Sequence, residues 1–316
     1  MNLQTQIPLQ SEKYNPIDYH SKIVLIGSCF AEHIGKKLEY FKFQNLQNPF
    51  GILFHPLGIE RLITNAINEK EYTERDIFFH DEQWHSFDAH SKLSNSTKDE
   101  LLNSLNKNIK STHQHINDST HIIITLGTAW VYRHIETDNI VSNCHKVPQK
   151  QFTKELLKVE TVSESLKAIV SLIRSINPNA VIIFTVSPVR HLKDGFVENA
   201  RSKAHLISAV HEVVEPRHHI HYFPSYEIMM DELRDYRFYD DDMIHPNTTA
   251  VNYIWDKFQE VWITRQASKT MNEVDEIQKG LLHRPFNPNS KAHRQFLQNL
   301  GSKQLKLQSQ FPNIRF

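Results

Sequence analysis

Apolar residues along this chain fall into two alternating patterns. Residues 22–28 form a short run rich in β-branched side chains, and residues 31–41 then show helical spacing through Ile34, Leu38 and Phe41. That order predicts strand, turn and helix. Continuous apolar runs of strand length recur at 121–126 and 180–186, as expected of strands buried on both faces. A further strand is expected at 219–223. Helical candidates lie at 56–68, 97–116, 154–175 and 198–214, with another starting at Pro246, where proline suits a first turn. Strands alternating with helices predict an α/β fold: a three-layer α/β/α sandwich around a parallel sheet of about five strands.

Two stretches break the alternation. Residues 78–96, with Trp84, His85, Phe87 and His90, lack helical period, and residues 131–152 have the character of an insertion after a strand. Insertions at such places shape ligand sites. From residue 268 the chain is polar and helix-prone, so residues 1–267 are expected to be the catalytic domain and 268–316 a helical appendage.

Composition narrows the function classes. The 36 basic and 36 acidic residues cancel, which argues against a nucleic-acid partner. Residues 1–14 are polar, without the apolar core of a secretory signal, and no run approaches the roughly 20 apolar residues of a bilayer span. A cytoplasmic location and no membrane partner are expected. The two cysteines, Cys29 and Cys144, are expected as free thiols rather than a disulfide framework. The 20 histidines include no set with metal-ligand spacing, so neither metal nor cofactor is expected.

The chemistry concentrates where polar residues follow apolar runs, because ligands of open parallel sheets bind outside the carboxyl ends of the strands. Gly27 and Ser28 end the first run, Gly127 ends the run at 121–126, and Gly51 lies in Asn48-Pro-Phe-Gly51. A serine hydroxyl needs a histidine as base and a carboxylate to orient it. Asp242 and His245, three apart in a polar acidic loop, supply both.

Ile26-Gly27-Ser28-Cys29-Phe30-Ala31 contains the run Gly-Ser-Cys-Phe-Ala, and with Asn48-Pro-Phe-Gly51, Asn143-Cys-His-Lys-Val-Pro148, Ser187-Pro-Val189 and Asp242-Met-Ile-His245 the chain resembles the GSCFA domain family, a branch resembling the SGNH (GDSL-like) hydrolases. The resemblance covers roughly residues 20–260. It implies a flavodoxin-like strand order, Ser28 as nucleophile, Asp242 and His245 completing a triad, and oxyanion donors from the N–H groups of Ser28 and Gly51. The sequence departs at the third SGNH block, usually Gly-x-Asn-Asp: here Gly127 is followed by Thr128-Ala129-Trp130, without the asparagine donor. Losing one such donor costs on the order of 10²–10³ in turnover, so Thr128, Asn143 or His145 is expected to replace it.

The expected activity is therefore hydrolysis of carboxylic esters through an acyl-enzyme on Ser28, with small acyl groups such as acetyl, on a small-molecule or carbohydrate alcohol, suggested by the resemblance. Two alternatives stay open: O-acyl transfer from the same acyl-serine, and a catalytically idle ligand- or carbohydrate-binding module. Trp84, His85 and Trp130 are expected either to line an acyl or sugar pocket or to pack under a long loop. Arg190 and its neighbours His191 and Lys193 either meet an anionic substrate or are solvated. Ser28 itself has a plain competing role, capping the helix that follows it.

Overall fold

A computed structural model describes residues 5–316; the first four residues of the polar 1–14 stretch lie outside the described residues. Along the chain run β1 (Lys22–Gly27), α1 (Cys29–Tyr40), β2 (Gln44–Gln47) and α2 (Pro56–Ile67), then the hairpin of β3 (Phe78–His80) and β4 (Gln83–His85). Helix α3 (Lys98–Asp118) leads into β5 (His121–Leu126), β6 (Trp130–His134), β7 (Asn139–Val141) and β8 (Phe152–Leu156). Next come α4 (Val159–Ile176), β9 (Val181–Val186), α5 (Phe196–His211), β10 (Ile220–Tyr222) and the short α6 (Ser225–Glu227). Helices α7 (Thr248–Trp262), α8 (Arg265–Leu282) and α9 (Lys291–Gln310) come last.

The central sheet is parallel throughout, in the order β10-β9-β5-β1-β2. Numbered along the chain, its strands read 2-1-3-4-5 from one edge, the flavodoxin-like order, with the switch point between β1 and β5. Successive side chains of the central strands point to opposite faces, and both faces are apolar. Val24, Ile26, Ile122, Ile124, Ile182 and Phe184 pack with α2, α3, α4 and α5, whereas Ile23, Leu25, Ile123, Val181 and Ile183 pack with α1, α7, α8 and α9. This is the three-layer sandwich expected of the alternating pattern.

Several boundaries move for local reasons. Helix α1 begins at Cys29, not at 31, because Ser28 takes the cap position. The helix expected from 154 begins at Val159, since Phe152–Leu156 is drawn off as a strand antiparallel to β6. Pro246 precedes α7 instead of opening it, because the Asn247 side chain accepts the Ala250 N–H and so caps the helix. The stretch without helical period at 78–96 contains the β3–β4 hairpin, and the insertion expected at 131–152 is part of the three-stranded antiparallel sheet β7-β6-β8, which runs from Trp130 to Leu156.

The expected break at 267/268 falls inside α8. Ala267, Met271, Val274 and Ile277 of that helix, with Leu300 and Leu307 of α9, belong to the same apolar cluster as Ile23, Ile123 and Ile183 of the sheet. Residues 268–316 therefore complete a core rather than hang from it. Burying each such side chain stabilises by about 1.5–3 kcal/mol. Truncation after Ala267 is expected to lower the denaturant midpoint sharply or abolish folding, whereas a detached appendage would leave the midpoint unchanged; urea melts of the two proteins decide.

Candidate active site

Ser28 is positioned by a strand end, a sheet bond and a helix start. Gly27 adopts φ 142°, and a Cβ there would stand 2.1 Å from the Thr125 carbonyl oxygen, so only glycine lets β1 and β5 approach this closely. Ser28 N–H donates to that same oxygen at 3.0 Å. Its Oγ accepts the Phe30 N–H at 3.3 Å and caps α1, and the residue is 1% exposed. The hydroxyl thus sits at the positive end of a helix dipole. The capping role expected as the plain alternative is therefore made.

The loops around it are stitched together by backbone bonds. Leu53 N–H donates to Gly27 O, while Gly127 and Thr128 N–H both donate to Phe54 O. A Cβ added at Gly127 would meet Ser28 Cβ at 3.3 Å, which places the ends of β1 and β5 side by side across the switch point.

Asp242 and His245 come together as expected. Asp242 Oδ2 lies 2.6 Å from His245 Nδ1, and Oδ1 accepts the N–H groups of Ile244 and His245 at 2.8 and 2.9 Å. The backbone N–H of His245, the imidazole and the Ile244 N–H hold the Asp242 carboxyl down at about 2. A carboxylate on Nδ1 puts the proton there and leaves Nε2 as the acceptor, the tautomer a general base needs. The loop is tied to the sheet edge by Arg190 N–H to Ile244 O at 3.1 Å, and His245 lies close enough to His33 of α1 to help depress that imidazole, behind burial and Lys36. No hydrogen bond joins Ser28 Oγ to His245 in this structure: the serine is enclosed, and the His245 side chain is 41% exposed.

Both expected oxyanion donors are spent elsewhere. Ser28 N–H is in the sheet bond to Thr125, and Gly51 N–H closes a turn onto Asn48 O at 2.8 Å, its α-carbon packed against His90. At the start of α1, Phe30 N–H donates to Ser28 Oγ and Ala31 N–H to Ser28 O, whereas Cys29 N–H donates to no other residue among those described. The expected replacements for the missing asparagine are largely occupied too. Thr128 Oγ1 accepts the Trp130 N–H and bonds Ser202 Oγ at 3.0 Å, and His145 uses both ring nitrogens, on Ser86 O and Ser91 Oγ; Asn143 Oδ1 accepts the His145 N–H, while its Nδ2 donates to no other residue among those described. Ala129 lies in the core, so an amide at that position would enter the apolar layer instead of the site.

Thr128, Trp130, Tyr132, Asn143 and His145 do share one feature: with Phe54 and His191 they wall a cleft of about 360 Å³ that opens beside Gly127. Trp84 and His85 are not in its wall. Trp84 pairs through its backbone with Asn95, and His85 bonds Ser94 Oγ and His80 O, so both secure the hairpin. Arg190 is also away from the cleft. Its guanidinium stands over the rings of Tyr239 and Tyr236, at 4.1 and 5.2 Å, and so clamps the loop that carries Asp242 and His245. Burial raises the thiols of both cysteines, Cys144 to about 11, which leaves them protonated and poor nucleophiles near neutrality.

One residue at this edge was invisible to motif reasoning. Lys203 is fully buried, its ammonium donating to Gly127 O at 2.8 Å and Ser187 O at 2.7 Å. The available signal was its place on the stripe of α5 formed with Asn199, Leu206 and Val210, where a lysine is out of character.

Among the described residues, no group of three or more His, Cys, Asp or Glu is arranged to hold a metal ion, and no helix is long and apolar enough to cross a membrane. The family model of the GSCFA family matches residues 22–258, and that of the GSCFA domain protein C-terminal domain matches residues 274–316. No curated protein matches the chain.

Burial pushes the imidazoles of His55 and His145 down to about 4. The unfolded chain then binds more protons than the folded one between about pH 4 and pH 6.5, so stability is lost as pH falls through that window, by roughly 1 kcal/mol per pH unit for each imidazole. Urea midpoints at pH 7.5, 6 and 4.5 are expected to fall in that order, with a shallower slope in His145→Gln.

Proposed function

The chain belongs to the GSCFA family, and on that footing we propose that it cleaves carboxylic esters through an acyl-enzyme on Ser28. The observation that carries this reading is the pre-formed Asp242–His245 pair, bonded at 2.6 Å at the sheet edge from which Ser28 rises. A base held in the right tautomer at the same end of the sheet as an enclosed hydroxyl at a helix start is what acyl transfer requires, once the two are brought together.

The steps follow from the residues. Ester binding brings His245 Nε2 onto the Ser28 hydroxyl; bonds of this kind are often long before substrate arrives. Ser28 Oγ attacks the acyl carbon as His245 takes its proton, and Asp242 stabilises the imidazolium. The oxyanion turns to the unengaged Cys29 N–H and the positive end of α1, in place of the Ser28 and Gly51 donors. The alcohol leaves with the proton from His245, and water, activated by the same imidazole, frees the serine. The aromatic wall of Trp130 and Tyr132 suits a sugar or another small alcohol, and the burial of Ser28, which is not in the wall of that cleft, suits an acyl group as small as acetyl. A sugar hydroxyl in place of water turns the same intermediate to acyl transfer.

The commitment of the Ser28 and Gly51 N–H groups favours a second reading, a ligand-binding module that retains the fold without turnover. A fluorophosphonate probe separates the two. Labelling of the wild type is expected, with complete loss in Ser28→Ala and a loss of at least about 10³-fold in rate in His245→Ala. Wild-type protein that resists the probe and leaves short aryl esters intact supports the module instead. Asp242→Asn, which keeps the shape but misplaces the imidazole proton, is expected to slow ester cleavage by about 10⁴-fold while the unfolding midpoint moves little. Product analysis with and without added sugars distinguishes hydrolysis from transfer.

A further inference from the structure

The deepest charge at the site takes no part in the steps above. Lys203 reaches from the buried face of α5 to the carboxyl ends of β5 and β9, where its ammonium holds the carbonyls of Gly127 and Ser187. Among the described residues no carboxylate pairs with it. The groups that face it are Cys29 of α1, His191 from the loop after β9 and Tyr226 of α6, whose ring lies 5.6 Å away. Withdrawing an ammonium from water without a counter-charge is expensive, and two carbonyls satisfy only two of its three N–H groups. Buried groups of this kind cluster at functional sites, where charge develops. Here that place is adjacent: Gly127, whose carbonyl it holds, lies against Ser28.

We propose that Lys203 is a positioning residue for the Ser28 site, clamping the Gly127 and Ser187 loops and supplying the fixed positive charge that stabilises the oxygen anion formed when Ser28 is acylated. This takes the role left open by the absent asparagine donor, and it rests on the esterase reading. The charge acts through the low-dielectric layer beneath the site, where it is worth far more than in water.

Its pH signature differs from that of a structural lysine. Burial lowers the ammonium to about 7, so the charge is present below that pH and lost above it. Reactivity that depends on this charge falls as Lys203 loses its proton.

The test is the rate of fluorophosphonate labelling of the full-length protein across about pH 5.5 to 9.5, for wild type, Lys203→Met and Lys203→Gln, with a thermal melt of each. Met removes charge and hydrogen bonds; Gln keeps a donor without the charge. Wild type is expected to lose labelling rate above pH 7, and both variants to label on the order of 10²-fold more slowly near neutrality without that alkaline decline. Variants with the wild-type rate and profile overturn the proposal. So does a wild-type rate that climbs steadily to pH 9, a result that decides even if both variants fail to fold. Wild type that is never labelled at Ser28 defeats the esterase reading and this inference together, whereas labelling without the alkaline decline defeats this inference alone.

Discussion

The Thr125 carbonyl oxygen is the point on which the site turns. It receives the Ser28 N–H at 3.0 Å, and it lies where a side chain on residue 27 would stand. The first and third strands of the sheet meet there, so one contact fixes both the switch point and the hydroxyl at its rim. With that N–H used to close the sheet, the start of α1 behind the serine and the buried Lys203 ammonium supply the positive potential there. The same bond that positions the hydroxyl also engages its own N–H.

The surrounding elements keep that geometry rigid by different means. Backbone bonds through Phe54 tie the loop after β2 to the loop after β5. Arg190, enclosed by Tyr236 and Tyr239, secures the segment bearing the imidazole, and Asp242 is itself fixed by two backbone N–H groups before it touches His245. The link not made is between serine and histidine: one side chain is enclosed, the other open to solvent.

Much of this was legible beforehand because the relevant patterns are local. Unbroken apolar runs at β1, β5 and β9 announce strands covered on both faces, and a carboxylate three residues before a histidine needs only one turn of chain to meet it. The edge strand β2, Gln-Asn-Leu-Gln, carried no such signal, since half-exposed edge positions tolerate polar side chains. The oxyanion assignments to Ser28 and Gly51 went astray for a related reason: whether a backbone N–H is free depends on long-range pairing, which residue identity does not encode. For Trp84, His85 and Arg190 residue type left a ligand-lining role and a packing or solvated one open; the first two secure a hairpin and the third the loop of the imidazole. Lys203 was missed because its partners are main-chain carbonyls from two separate strands.

Helices α8 and α9 cover the sheet face that β1, β5 and β9 share with α1 and α7. Both helices follow the strands in the chain, so during synthesis α1 and α7 cover only part of that apolar layer until α8 and α9 emerge. In the interval the part left open is a natural target for chaperones and a natural seed for aggregation.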